Sequence, residues 1–285
     1  MSEPPSSYGQ PWPNVVEIDS LDDPRLGAYA NLRDAQLRHA ERGQFMAEGE
    51  LVVRLLIESG RAVDSVLLTR LRLESMRQEL ALLPQSTPVY VVPQQVMDGI
   101  VGMHMHRGVL AVGRRGVPRV AEDVIAGASG LLVLEDLSNH DNVGSLFRSA
   151  AGLMPHDGGV LLSPGCCDPL YRKSLRVSMG HALRVPYATL EPWPVGLAAL
   201  KARGFTVVAL TPGEGSVDIS EAAQRVQQPG VRVAIMLGTE GVGLSDAAQS
   251  SADLRVRIAM NEGVDSLNVA VAGAIAMQRL FRPGS

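Results

Sequence analysis

The chain has 285 residues, 46% of them hydrophobic and 20% charged, with a formal net charge of −4. That length suits two domains, and the balance is that of a soluble globular chain rather than a disordered one. Apolar runs stay far below the roughly 18 residues that cross a bilayer, and the N-terminus lacks the basic start and apolar core of a signal peptide, so a cytoplasmic protein is expected.

Residues 1–14 are rich in Pro and Ser and read as a loose tail. From 15 to 115 the pattern is mixed. A helical stretch over Asn31–Arg38 leads to Phe45-Met-Ala-Glu-Gly-Glu50, and Leu51–Ile57 reads as a helix ended by Gly60. Short β-branched runs at Val66–Thr69, Val89–Val92 and Val109–Val112 have strand character. Helices alternating with strands predict a small α/β domain. Residues 116–128, with Pro118, read as a linker. Beyond it, Leu131–Glu135, Val160–Leu162, Val207–Leu210, Val231–Leu237 and Leu254–Ile258 read as strands, with helical patterns around Asn142–Ala151 and Pro194–Arg203. Such alternation implies a largely parallel sheet that carries ligands at the carboxyl ends of its strands. Residues 1–115 hold 12 Lys/Arg against 14 Asp/Glu and residues 116–285 hold 14 against 16, so neither half is a general polyanion binder.

Three clusters follow predicted strands. In the first, Asn142 is suited to cap a helix whose apolar stripe is Val143, Leu146, Phe147, Ala150 and Ala151. Arg148 falls roughly opposite that stripe, near Gly144, which leaves the backbone open to close approach. A capped helix with a solvated arginine explains the same residues. In the second, Leu237-Gly-Thr-Glu-Gly-Val-Gly-Leu244, three glycines permit turns with free amides. Neither a Gly-x-Gly-x-x-Gly fingerprint nor a phosphate-loop lysine occurs. Glu240 would repel phosphate and suit a cationic or hydroxyl-bearing partner; an ordinary turn glutamate is the plainer reading. In the third, Ser266 is placed to cap a helix that is apolar almost all round and so should be buried. Asn268, in its first turn, would then need hydrogen-bond partners.

In this order, Asn142-x-Gly144-x-x-x-Arg148, Gly238-x-Glu240-Gly241-x-Gly243-Leu244 and Ser266-Leu-Asn-Val-Ala270 resemble the three motifs of the SpoU/TrmH-type RNA ribose 2′-O-methyltransferases of the SPOUT superfamily. The resemblance spans about 129–282. One departure is Ala259, where the family usually has proline. Phe45-x-Ala47-Glu48-Gly49-Glu50 and His106-Arg-Gly-Val-Leu-Ala-Val112 resemble the substrate-binding domain that often precedes this catalytic domain, a small α/β sandwich akin to certain RNA-binding ribosomal proteins.

The resemblance implies an α/β fold, with a mostly parallel sheet and a deep trefoil knot over 129–285 and an RNA-binding α/β sandwich over 15–115. The knot comes from resemblance alone, because general connection rules run against knots. It also implies a homodimer formed through the knot region. S-adenosylmethionine is the implied cofactor, contacted by Gly238, Ile258, Met260 and Leu267. Ribosomal or transfer RNA is the implied substrate, and the leading domain favours ribosomal RNA. Asn142, Arg148, Glu240, Ser266 and Asn268 would form the catalytic set. Arg148 has been cast as the base in this family; an arginine stays protonated in proteins, so a phosphate clamp that stabilises the forming alkoxide is physically easier.

Arg172, Lys173 and Arg176, and Arg33, Arg38 and Arg42, are candidates for RNA phosphates or for plain solvated faces. His104-x-His106 lacks further ligands for a metal, and no metal is expected. Adjacent Cys166 and Cys167 suit neither a disulfide framework nor a zinc site, and read as small buried residues. Two other readings compete: an RNA-binding protein that keeps this fold without chemistry, and a nucleotide-dependent oxidoreductase, which the missing glycine fingerprint disfavours.

Overall fold

The computed structural model describes residues 14–30, 42–101, 108–213 and 215–281. The predicted helix over Asn31–Arg38 and the His104-x-His106 pair lie outside them. The chain divides into two compact units, Met1–Gly116 and Val117–Ser285.

In the first unit, β1 (Asn14–Glu17) precedes a 3-10 turn over Pro24–Ala28 that the Asp23 carboxylate caps, and then β2 (Gln44–Glu48). Gly49, at φ 94°, turns the chain into α1 (Glu50–Glu58); only glycine takes that angle without strain. There follow β3 (Val63–Thr69), α2 (Arg70–Ser75), α3 (Arg77–Leu80), β4 (Pro88–Val92), α4 (Gln94–Val101) and β5 (Val109–Arg114). The sheet runs β1-β4-β3-β5-β2, with β5 antiparallel to both neighbours and the other pairs parallel. Strand alternation sends Met46, Leu67, Leu110 and Val112 to one face, against Tyr29, Met97 and Ile100. On the other face Phe45 meets α1: a Cβ on Gly113 would lie 2.6 Å from the Phe45 ring and 3.1 Å from Leu56.

The second unit opens with α5 (Ala121–Gly127), inside the segment that reads as a linker. Ala121, Val124 and Ile125 are buried in the core, and a Cβ on Gly159 would meet Val124 at 2.5 Å. The helix carries too few turns for its period to show in the sequence, so residues 121–127 belong to this unit rather than to a connector. Next come β6 (Gly130–Leu134), α6 (His140–Leu153), β7 (Gly159–Leu162), α7 (Arg172–Val177) and β8 (Tyr187–Thr189). The predicted Pro194–Arg203 helix is a 3-10 turn followed by the short α8 (Ala198–Ala202). Then follow β9 (Phe205–Leu210), β10 (Val217–Asp218), α9 (Ile219–Val226), β11 (Arg232–Leu237), α10 (Asp246–Ser250), β12 (Leu254–Arg257) and α11 (Val269–Leu280).

All seven strands of this sheet are parallel, in the order β10-β12-β9-β11-β6-β7-β8. The expectation of a parallel sheet holds. Leu131–Leu134 are wholly buried, as a central strand covered on both faces requires. From β6 the chain builds outward through β7 and β8, then returns to β9 on the far side of β11. The order therefore reverses around β6 and β11, which is where parallel sheets open a crevice at their carboxyl ends. Among the described residues, no helix is long and apolar enough to cross a membrane.

Candidate active site

Loops leave the carboxyl ends of the neighbouring strands β6 and β11 and of β12, one strand further on beyond β9. The first starts at Glu135, whose amide donates to Leu237 O at 2.8 Å. Its buried carboxylate accepts from Trp193 Nε1 (2.7 Å), Ser245 Oγ (2.7 Å) and Ser245 N (2.8 Å), so one side chain ties the first loop to the end of the second. Sequence reading passes over Glu135; the available signal is a carboxylate closing an otherwise apolar strand. Asp136 follows at φ 53°, a strained angle for this residue type. Ser163 holds it there: Ser163 Oγ donates to Asp136 Oδ1 at 2.7 Å and accepts from Asp136 N at 2.9 Å.

Helix α6 begins earlier than expected, and Asn139 rather than Asn142 caps it, its Oδ1 accepting from Asp141 N at 2.9 Å. Asn142 is thereby freed for another task. It is buried in the first turn, with Oδ1 facing the third loop. The apolar stripe is Val143, Leu146, Phe147 and Ala150, while Ala151 is exposed. Gly144 does serve a close approach, but that of α7: a Cβ there would sit 2.7 Å from Ser174 O and 2.8 Å from Val177 Cβ.

The second loop is a tight turn. Thr239 and Gly243 pair as an isolated bridge, with Gly243 N donating to Thr239 O at 2.9 Å. A Cβ on Gly238 would lie 2.2 Å from the Gly243 carbonyl carbon and the Leu244 nitrogen, so only glycine closes it. Gly241 and Gly243 take φ values of 88° and 75°. Glu240 stands exposed at the tip.

The third loop delivers Asn268, which caps α11 in place of Ser266, its Oδ1 accepting from Ala270 N (3.0 Å) and Val271 N (3.3 Å). Its Nδ2 donates to Asn142 Oδ1 at 2.9 Å and to Glu240 Oε1 at 2.7 Å. One side-chain amide therefore joins all three loops. Asn268 has the partners expected of it, although it is exposed rather than buried in the single chain. Burial of α11 is likewise incomplete, with Val271 51% exposed; Leu267, ahead of the helix, is 37% exposed and Val242 in the second loop 86%.

Of the predicted catalytic residues, then, Asn142, Glu240 and Asn268 meet. Ser266 is exposed and forms no hydrogen bond with a described residue. Arg148 lies six residues past Asn142, hence about 120° round the helix and roughly 9 Å along it. It is exposed, without a hydrogen bond or ion pair to a described residue, and its charge reaches His181. Ile258 and Met260 are half-buried. Arg33 and Arg38 lie outside the described residues, and Arg42 is exposed. Lys173 pairs with Asp141 at 2.6 Å; Arg172 and Arg176 are half-buried, with partners inside the protein.

The two cysteines, and His140 at the start of α6, are set by their burial. Cys166 and Cys167 are half-buried thiols, not fully buried as expected, and burial raises the pKa of both, that of Cys167 to about 11. Neither offers a thiolate near neutrality. His140 stacks on Tyr171 with ring centroids 3.9 Å apart, and burial followed by the Lys173 charge lowers its pKa. Among the described residues no group of three His, Cys, Asp or Glu could hold a metal ion.

Residues 129–278 match the model of the SpoU rRNA Methylase family. An uncharacterized tRNA/rRNA methyltransferase of Mycobacterium tuberculosis (strain ATCC 25618 / H37Rv) is 41% identical over 275 residues, covering 95% of this chain and 93% of the relative. The 23S rRNA (guanosine-2′-O-)-methyltransferase RlmB of Bordetella pertussis is 30% identical over 201 residues, 68% of this chain and 78% of its own length. A crystal structure of an AdoMet-bound rRNA methyltransferase from Sinorhizobium meliloti superposes with a TM-score of 0.75 at 22% identity, over 93% of this chain and 97% of that one, a likeness of fold. With more than half of its length matched by the family model, the chain belongs to the SpoU rRNA methylase family of RNA methyltransferases.

Proposed function

We propose that this protein transfers the methyl group of S-adenosylmethionine to a ribose 2′-hydroxyl of RNA, and of ribosomal RNA ahead of transfer RNA. The observation that carries the reading is the Asn142–Asn268–Glu240 junction, which draws three separated loops to one point at the sheet's switch. The 2′-O specificity named for the Bordetella relative supports the ribose as acceptor.

The residues present fit the cofactor. Leu267, Ile258 and Met260 offer apolar surface, the turn over Gly238–Gly243 offers backbone groups with no side chain over its glycines, and the Glu240 carboxylate complements a cation. When bound, the cofactor supplies an electrophilic methyl group on sulfur. The protein's share is orientation, which in general supplies about 7–11 kcal/mol, and help in deprotonating a hydroxyl that is nearly all protonated at pH 7. Asn142, Glu240 and Asn268 hold the site in register, the exposed Ser266 is left to meet a ligand, and Arg148 clamps phosphate and stabilises the forming alkoxide with its charged fork.

Within the same reading, residues 129–285 form the knotted catalytic domain and 15–115 the RNA-binding one. The exposed apolar side chains Val242, Leu267 and Val271 are covered by a second copy in a cytoplasmic homodimer. Mapping of 2′-O-methyl sites in total RNA from a deletion strain and its parent tests the function. Loss of a discrete ribose methyl is expected; identical maps would overturn it, and calorimetry without S-adenosylmethionine binding would leave an RNA-binding protein only.

A further inference from the structure

We infer that a cleft beside the carboxy-terminal half of α6 holds a nucleotide of the RNA substrate neighbouring the one that is methylated, an inference that rests on the RNA methyltransferase reading above. The cleft has a volume of about 500 Å³ and lies between the end of α6 and residues 181–186, a size within the roughly 300–1,000 Å³ of ligand pockets.

Its chemistry is divided. Met154 and Pro155 give an apolar wall, while His156, His181 and Arg184 bring cationic or aromatic nitrogen groups. No carboxylate lines it among the described residues; Asp157, next to His156 in the chain, is engaged by Ser129 Oγ at 2.5 Å. Imidazole rings and guanidinium planes stack on unpaired bases, and guanidinium groups take phosphate. An apolar wall beside such groups, with no carboxylate to repel an anion, is complementary to a nucleotide.

The cleft lies about one helical turn from Arg148, since the lining residue Ala151 is three residues further along α6. The charges of Arg184 and Arg148 both act on His181, which burial already disposes to neutrality. Arg148 and Met154 are six residues apart on or just past one helix, about 9 Å along its axis. RNA held by Arg148 therefore meets this cleft next. The segment is held in place beforehand: Gly180, at φ 84°, donates from its amide to Leu175 O at 2.8 Å, and His181 N donates to Ser178 O at 3.1 Å.

Two substitutions test this in the full-length chain, Ala151→Glu, at an exposed lining position, and Arg184→Gln. Filter binding to a pool of random-sequence RNA 30-mers should show at least tenfold weaker binding by A151E at low salt. For R184Q, the slope of log K against log salt should become shallower by about 1, as for one lost phosphate contact. Affinity for S-adenosylmethionine by calorimetry should stay within twofold for both. RNA affinities and salt slopes equal to wild type would overturn the proposal. So would a changed solution mass with unchanged RNA affinity, which would assign the cleft to a second copy of the chain. Absent ribose methylation by the wild-type protein would sink the functional reading separately, because that result leaves these RNA affinities where they are.

Discussion

The first turn of α6 and its third turn stand under opposite conditions. At Asn142 the chain has already built the geometry: a buried amide oxygen meets Asn268, which in turn holds Glu240 and caps α11. At Arg148, two turns on, a side chain with five donors projects into solvent and meets no described hydrogen-bond partner. Groups fixed beforehand cost no reorganisation when the substrate arrives. A free guanidinium must be ordered by what it binds. The first turn is thus preorganised by the protein, and the third is not.

Arg148→Lys should have the largest effect on this contrast. A point charge cannot reproduce a planar fork, so methyl incorporation should fall by about 10²–10³-fold, the scale of one lost transition-state donor, with an unchanged melting temperature. Near-normal turnover would discard the clamp. Asn268→Ala should act at both levels: activity falls by about 10²-fold on the same reasoning, and loss of the α11 cap costs about 1 kcal/mol in denaturant unfolding. Wild-type rates would remove Asn268 from the site.

Glu135→Gln probes the frame beneath the junction. An amide nitrogen would then face donors on Trp193 or Ser245, at about 1–3 kcal/mol for a mismatched buried pair. A red-shifted Trp193 emission and a raised KM for S-adenosylmethionine with little change in kcat are the expected readouts; an unaltered KM would deny the residue its positioning role.

The smallest effect concerns pH. Burial lowers the pKa values of His140 and His181 below the usual imidazole range. The folded chain therefore binds fewer protons than the unfolded one between those values and about 6.5. Their contribution to stability is complete above about pH 6.5 and declines as pH falls through the folded pKa values. The urea midpoint should drop between pH 7.5 and 5.5, and by less in His140→Gln; an equal drop in both proteins would clear His140.

Much of the second unit is legible because its signals are local. Runs such as Leu131–Leu134 and Val207–Leu210 are long and β-branched or aliphatic enough to declare buried strands. The helix α5 is too short for periodicity to declare itself, and β8 and β10, with three residues and two, carry almost no pattern. Caps are misread for a related reason. Asn139 and Asn142 have the same local chemistry, as do Ser266 and Asn268, so nothing short of the backbone path decides which member of each pair closes its helix.

Sequence alone determined the strand–helix alternation and the glycines of the second loop, which rest on residue type and spacing along the chain, whereas the grouping of Asn142, Glu240 and Asn268 came only from the resemblance of their motifs to a family. Tertiary structure decided the rest: that Asn268 is the single amide binding Asn142 and Glu240, that Glu135 props the loops, and that Arg148 stays outside that hydrogen-bond network. These are relations between residues dozens to more than a hundred positions apart, and they exist only once a parallel sheet has brought the ends of its strands together.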